Sequence, residues 1–203
     1  MRFRLKSGQA IGYLPSGRGD VTLVMLHPIG LRSQVWGRLT AELDGECRSL
    51  AIDLPGHGDS DVTSAAQSIA DMAASVREFV DALGGSRVVL VGCSMGSAVA
   101  ATVAAAAPPN VKALVLSNSS FGHSPERFAA LSKRSTEAER GMGAMLDNTI
   151  KRWFSVDALV NHADLVATVR GWLLAGDPIV HSRGWLALRD FDYEPLFPPL
   201  TLP

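Results

Sequence analysis

An α/β fold is what this sequence predicts: a mostly parallel sheet covered by helices and topped by an all-helical cap. Three observations carry it. Apolar runs of strand length alternate with helix-periodic segments between residues 21 and 116, as strands buried on both faces and joined by helical crossovers require. From residue 125 to 192 strand-like runs stop and helical signals recur. The length of 203 residues, 47% apolar and 19% charged, suits one large core and excludes intrinsic disorder.

The elements follow in order. Residues 1–6 and 9–14 read as short strands joined at Ser7-Gly8, a hairpin. After a Gly-rich turn, Val21–Leu26 is an apolar run and so a buried strand. Residues 33–43 carry Val35, Trp36, Leu39 and Leu43 at helical spacing. Residues 48–54 form the next buried strand, closed by the turn composition of Pro55-Gly56-His57-Gly58. Ser68, with Asp71 three residues on, is an acidic variant of the capping box. The helix it opens presents Ile69, Met72, Val76, Val80 and Leu83 on one face and stops at Gly84-Gly85. Residues 88–91 predict a strand, 94–107 a helix of small residues and 111–116 another strand. In the cap, Thr136 with Glu139 forms a second capping box, and Asp177-Pro178 places an N-cap before a proline at the first helical position. The proline-rich stretch 195–203 cannot continue a helix and reads as an approach to a further strand. The organisation is therefore a core over 1–120, a cap over 121–192 and a linker over 193–203.

Charge and cysteine content narrow the function. Basic and acidic side chains nearly cancel, 19 against 20, and the basic ones are spread along the chain. No block of them could neutralise a run of phosphates, which excludes a nucleic-acid partner. Cys47 and Cys93 make neither a disulfide framework nor a zinc motif. No apolar run reaches membrane-spanning length and Met1 to Lys6 lack a signal-peptide core, so the expectation is a cytoplasmic protein with no membrane partner. With no metal constellation and no dinucleotide fingerprint, no cofactor is expected.

The sharpest chemical signal is Gly92-Cys93-Ser94-Met95-Gly96, a G-x-S-x-G pattern between an apolar strand and an apolar helix. That is the context of a nucleophile elbow, a turn so tight that the serine is strained and Cβ atoms two residues to either side would collide with the neighbouring elements. The turn projects the Ser94 hydroxyl from the sheet and leaves the Met95 amide at a helix N-terminus, able to bind an oxyanion. His27-Pro28-Ile29-Gly30 ends the strand Val21–Leu26, and the Ile29 amide is the expected second donor. His27 and His57 read as hydrogen-bonded structural histidines, and Asp53 as a turn cap.

The succession His27-Pro28-Ile29-Gly30, Asp53-Leu54-Pro55-Gly56-His57-Gly58-Asp59-Ser60 and Gly92-Cys93-Ser94-Met95-Gly96-Ser97 resembles the α/β-hydrolase fold family. Gly141-Met142 with Arg152-Trp153-Phe154, and Ala187-Leu188-Arg189-Asp190-Phe191-Asp192, are most similar to the 3-oxoadipate enol-lactone hydrolases. The resemblance spans essentially the whole chain. It implies Ser94 as nucleophile, the Met95 and Ile29 amides as oxyanion hole, and a cap selecting a small anionic ester or lactone. It also implies an acid and a histidine following two further strands, both after Pro203. The sheet is then cut after its sixth strand, with residues 111–116 at an open edge. The triad is expected to be completed by a complementing polypeptide, with a homo-oligomer as the other way to cover that edge. His123, in a loop after a strand, is the one histidine of this chain with a conceivable rearranged role. A catalytically inactive binding or assembly module keeping the elbow as architecture is the alternative reading, and a perhydrolase or carbon–carbon bond hydrolase a third.

The cap concentrates Lys133, Arg134, Arg140, Lys151 and Arg152. Most read as solvated helix faces, with Arg134 as the candidate for a substrate carboxylate. Trp153, Trp172 and Trp185 read first as cap core, with Trp153 kept beside Arg134 as a candidate substrate contact.

Overall fold

The computed structural model describes residues 1–203 except 63–67, 120, 199 and 201. Two of the exceptions, 199 and 201, fall in the predicted linker, whose described part holds a 3-10 turn (Glu194–Leu196) and packs Leu196, Leu200 and Leu202 against the sheet core. An antiparallel hairpin, β1 (Arg2–Arg4) and β2 (Ala10–Ser16), opens the chain. It leads into the parallel strands β3 (Val21–Leu26), β4 (Arg48–Ile52), β5 (Arg87–Cys93) and β6 (Val111–Ser117). The six strands lie in the order β1-β2-β4-β3-β5-β6, with β2 antiparallel to β4 and the last four parallel. This is the predicted fold class, reached because each apolar run is followed by a helical crossover.

Residues 33–43 hold less helix than their spacing predicts: a 3-10 turn (Ser33–Trp36) and the short α1 (Gly37–Glu42), with no buried side chain in α1. The helix α2 (Ile69–Ala82) starts at the expected capping box, Ser68 accepting from the Asp71 amide at 3.1 Å. It buries Ile69, Met72, Val76 and Val80, with Ala73 and Phe79 beside them. The helix α3 (Met95–Ala105) buries nearly every residue against the sheet and α2, which explains its composition: apart from Met95 and Thr102 it holds alanine, glycine, serine and valine, small enough for so close an approach. On β5 and β6 the described helix that packs is α3, so alternate residues there are less covered than continuous apolar runs imply; Val115 is 48% exposed. β6 forms the outer edge of the described sheet, where the Pro203 carbonyl accepts from the Leu114 amide at 3.1 Å.

Five helices follow: α4 (Pro125–Glu139), α5 (Met142–Trp153), α6 (Val156–Asn161), α7 (Ala163–Leu174) and α8 (Pro178–Asp190). One capping assignment is corrected. Thr136 and Glu139 lie inside α4, where Thr136 Oγ1 donates back to the Ser132 carbonyl and Glu139 accepts from Ser182 Oγ at 2.9 Å on α8. Ser124 caps α4 instead, ahead of Pro125. Asp177 caps α8 as expected, accepting from the amides of Ile179 and Val180. Two cores result. One, beneath the cap, joins Met142, Leu146, Ile150, Val169 and Leu173. The other is the sheet core, and it includes Leu131 of α4 and Trp185, Ala187 and Leu188 of α8. Helices α4 and α8 thus pack on each other and contribute to the sheet core, α8 meeting α3. Among the described residues no helix is long and apolar enough to cross a membrane.

Candidate active site

Ser94 is the single residue between β5 and α3, at φ 52° and ψ −113°. An L-residue held there stores roughly 1–3 kcal/mol of strain, and its surroundings hold it firmly. Its amide donates to the Ser117 carbonyl at 3.0 Å, its carbonyl accepts from the Ser97 and Ala98 amides, and Ser97 Oγ donates to the Gly92 carbonyl at 2.7 Å. A Cβ on Gly92 would stand 2.4 Å from the Gly96 carbonyl oxygen, and one on Gly96 2.1 Å from that of Leu26. Glycine at both positions is therefore a steric requirement of the turn.

The turn delivers Ser94, part-exposed, to the wall of a cavity of about 650 Å³. Pro28, Ile29 and Leu31 border it from the loop after β3, Cys93 and Asn118 from the strand ends, and the cap closes it from the other side. The structure thus brings Ile29 and Ser94 to one cavity, with Met95 fully buried at the first position of α3, where an amide has no intrahelical acceptor.

Arg134 and Trp153 line the same cavity. So do Arg127, Arg152 and Trp185, although the sequence pattern alone places Arg152 on a solvated helix face and Trp185 in the cap core and marks Arg127 in no way. Arg134 lies over the Trp185 ring, 5.0 Å from its centroid. Burial lowers the Arg134 pKa below its ordinary value, and burial together with the Arg134 charge lowers that of Arg152. Glu137 opposes both effects, but among the described residues neither guanidinium has a carboxylate within ion-pair distance. Arg127 is committed differently: it donates to the Leu188 carbonyl at 2.8 Å, at the C-terminal end of α8, where a cation is favoured. Trp172 remains in the core beneath the cap, as expected.

The histidines fall elsewhere. His27 is fully buried, with Nδ1 2.8 Å from the Pro28 carbonyl and Nε2 accepting from the Leu54 amide at 2.9 Å. Burial, aided by His57, lowers its pKa to about 3, so the ring is a neutral brace between two loops. His57 packs against it at 5.0 Å between ring centroids, and burial lowers its pKa as well. Asp53 accepts from the Ser33 and Asp59 amides at 2.6 and 2.9 Å, a loop cap as expected. His123 lies 3.4 Å from Asp192 in a separate cleft beside Phe121 and Tyr193, and His162 is exposed where α6 meets α7. His181 is buried against Trp185, its pKa lowered to about 3 by burial first, then by His57 and Arg152. Among the described residues no imidazole lines the Ser94 cavity.

Comparison with known proteins fits this geometry. A family model described as alpha/beta hydrolase fold matches residues 21–191. A pimeloyl-[acyl-carrier protein] methyl ester esterase from Pectobacterium carotovorum is 31% identical over 161 residues, 66% of this chain and 61% of the relative. The chain thus spans about three fifths of that relative's length. An (E)-2-((N-methylformamido)methylene)succinate hydrolase from Acinetobacter baylyi is 24% identical over 196 residues, 90% of this chain and 73% of its own. Among solved structures, the enol-lactonase from Burkholderia xenovorans superimposes with a TM-score of 0.88 over 100% of this chain and 78% of that one. At 23% identity that likeness concerns the fold alone.

Proposed function

Because this chain belongs to the alpha/beta hydrolase fold family, we propose that it is the nucleophile-bearing part of a serine hydrolase acting on a small carboxylic ester or lactone that carries a carboxylate. The observation that carries the reading is one cavity holding both a serine in the strained elbow conformation and two guanidiniums without a carboxylate partner. In the reaction, Ser94 Oγ attacks the ester carbonyl carbon while a base takes its proton. The Ile29 and Met95 amides hold the oxyanion, and the carbon–oxygen bond to the leaving alcohol or enol breaks with proton return to that oxygen. Water then attacks the acyl-serine, freeing a carboxylate and restoring Ser94. Arg134 and Arg152 would hold the substrate's other anionic end, and Trp153 its apolar body.

His27 is committed to loop bracing and, among the described residues, no histidine lines the cavity, so this proposal draws its proton acceptor from outside these residues. Its source in this proposal is a complementing segment outside these residues. The name of the methyl ester esterase relative supports an ester and that of the succinate hydrolase an acid-bearing substrate; lactone, with enol-lactone as the finer choice, is suggested by the sequence resemblance.

The test is Ser94→Ala in the assembled protein, with turnover of a p-nitrophenyl ester and labelling by a fluorophosphonate as readouts. Loss of both supports the reading. A wild-type protein that neither labels nor turns over ester points instead to an inactive assembly module, and turnover that survives Ser94→Ala removes the elbow from the chemistry.

A further inference from the structure

We propose that α8 sets the position of the oxyanion hole, with Gly184 as a positioning residue; this rests on the reading of Ser94, Ile29 and Met95 given above. A Cβ built on Gly184 would lie 2.8 Å from Ile29 Cδ1, 3.3 Å from Ile29 Cγ1 and 3.5 Å from Met95 Sδ. One point on a cap helix therefore bears on the side chains of both residues whose amides are assigned to the hole. Ile29 is 1% exposed and Met95 0%, so neither can yield into solvent. Three residues earlier on the same helical face, His181 presses on the same loop: a Cβ on Gly30 would stand 2.4 Å from its Cε1. Gly30 itself sits at φ +74°, a turn that only a residue without Cβ fits under that ring. Val180 meets the 55–60 turn in like manner, 2.7 Å from a Cβ built on Gly56.

The far side of α8 is fixed as closely. Ser182 Oγ lies 2.8 Å from Ser135 Oγ and donates to Glu139, while Arg127 holds the C-terminal Leu188 carbonyl. The helix is thus clamped between α4 and the loop after β3, and a close-packed interior passes a displacement on rather than absorbing it. An oxyanion donor must stand within about 2.7–3.1 Å of the developing charge, so a shift of a few tenths of an ångström at Ile29 reaches the transition state. The ground-state grip is made by the guanidiniums of Arg134 and Arg152, and neither side chain is among the atoms nearest a Cβ on Gly184.

The test is a kinetic cycle on the intact enzyme with a p-nitrophenyl ester. Gly184→Ala pushes Ile29 away, and kcat is expected to fall roughly 10- to 100-fold, less than or equal to loss of a whole donor, with KM within about twofold. Ile29→Val removes Cδ1, the atom nearest that position, and loosens the contact in the wild type, lowering kcat severalfold at unchanged KM. Combined, the two changes fit each other, and kcat is expected to recover about tenfold over Gly184→Ala, the coupling that neighbours in contact show. Gly171→Ala in α7, where a Cβ meets nothing within 4 Å, is the control and keeps both constants. Wild-type kcat in Gly184→Ala, or additive losses in the double variant, overturns the proposal. Should Gly184→Ala not fold, Ile29→Val decides alone, since Ile→Val costs only about 0.5–1.5 kcal/mol of stability: an unchanged kcat refutes the positioning role. If Ser94→Ala remains active, the failure belongs to the reading beneath.

Discussion

Arg134 and Arg152 both border the Ser94 cavity, and the Arg134 charge, after burial, depresses the affinity of Arg152 for its proton. Bringing a carboxylate between them relieves that repulsion and replaces solvent as hydrogen-bond partner. Arg134→Gln is therefore expected to raise KM for the p-nitrophenyl monoester of succinic acid roughly 10- to 100-fold, the worth of one charged hydrogen bond. KM for neutral p-nitrophenyl butyrate should stay nearly unchanged; equal losses on both esters would show that the guanidinium serves packing on Trp185 and nothing more. Arg134→Lys should not rescue, because an ammonium neither stacks on the indole in the same way nor offers a bidentate fork. The two kinds of residue at this site differ in how openly the sequence declares them. Ser94 is legible because its strain, flanking glycines and helix start are all local within five residues. Arg127 and Trp185 are not, because which face of a cap helix looks inward is decided by where α4 and α8 dock.

At the scale of elements, the helix starts carry local chemistry that the chain spells out. Ser68 and Asp177 each satisfy orphan amides of the turn they open. Asp177→Ala is expected to cost about 1 kcal/mol, read as a lower urea midpoint at unchanged slope. Because Asp177 lies about two turns before Gly184 and bonds only the amides that open α8, the same variant should lower kcat only in step with the folded fraction. The second capping box failed for a physical reason. Thr136 and Glu139 match the pattern, but Ser124 followed by Pro125 starts the helix a full three turns earlier, and a serine or threonine inside a helix bonds back to the preceding turn. Glu139 then finds its partner across the α4–α8 interface at Ser182, a contact that no local pattern encodes.

For the whole molecule, the buried histidines couple stability to pH. His27 and His181 hold folded-state pKa values of about 3 against an ordinary 6.5, and His57 is shifted the same way. The unfolded chain binds protons in this window that the native fold refuses, so the stabilisation is complete above pH 6.5 and lost as pH falls toward about 3. Between pH 7.5 and pH 5 each of these two histidines withdraws ~2 kcal/mol. Urea midpoints measured across that range should fall steeply, and His27→Gln should flatten the dependence by about one proton, ~1.4 kcal/mol per pH unit. An unaltered slope would place the His27 ring in water, against its fit between Pro28 and Leu54.

The sequence by itself determined the alternation of strand and helix, the elbow at Ser94, and the starts of α2 and α8. Each rests on interactions within a few residues: side-chain period, capping, and the steric tolerance of glycine. Only the tertiary structure decided that α8 belongs to the sheet core as well as the cap, that three arginines border one cavity, and that His27 and His57 brace loops away from Ser94. Those outcomes depend on how helices far apart in the chain settle against the loop after β3, and packing between distant segments leaves no periodic trace in any one of them.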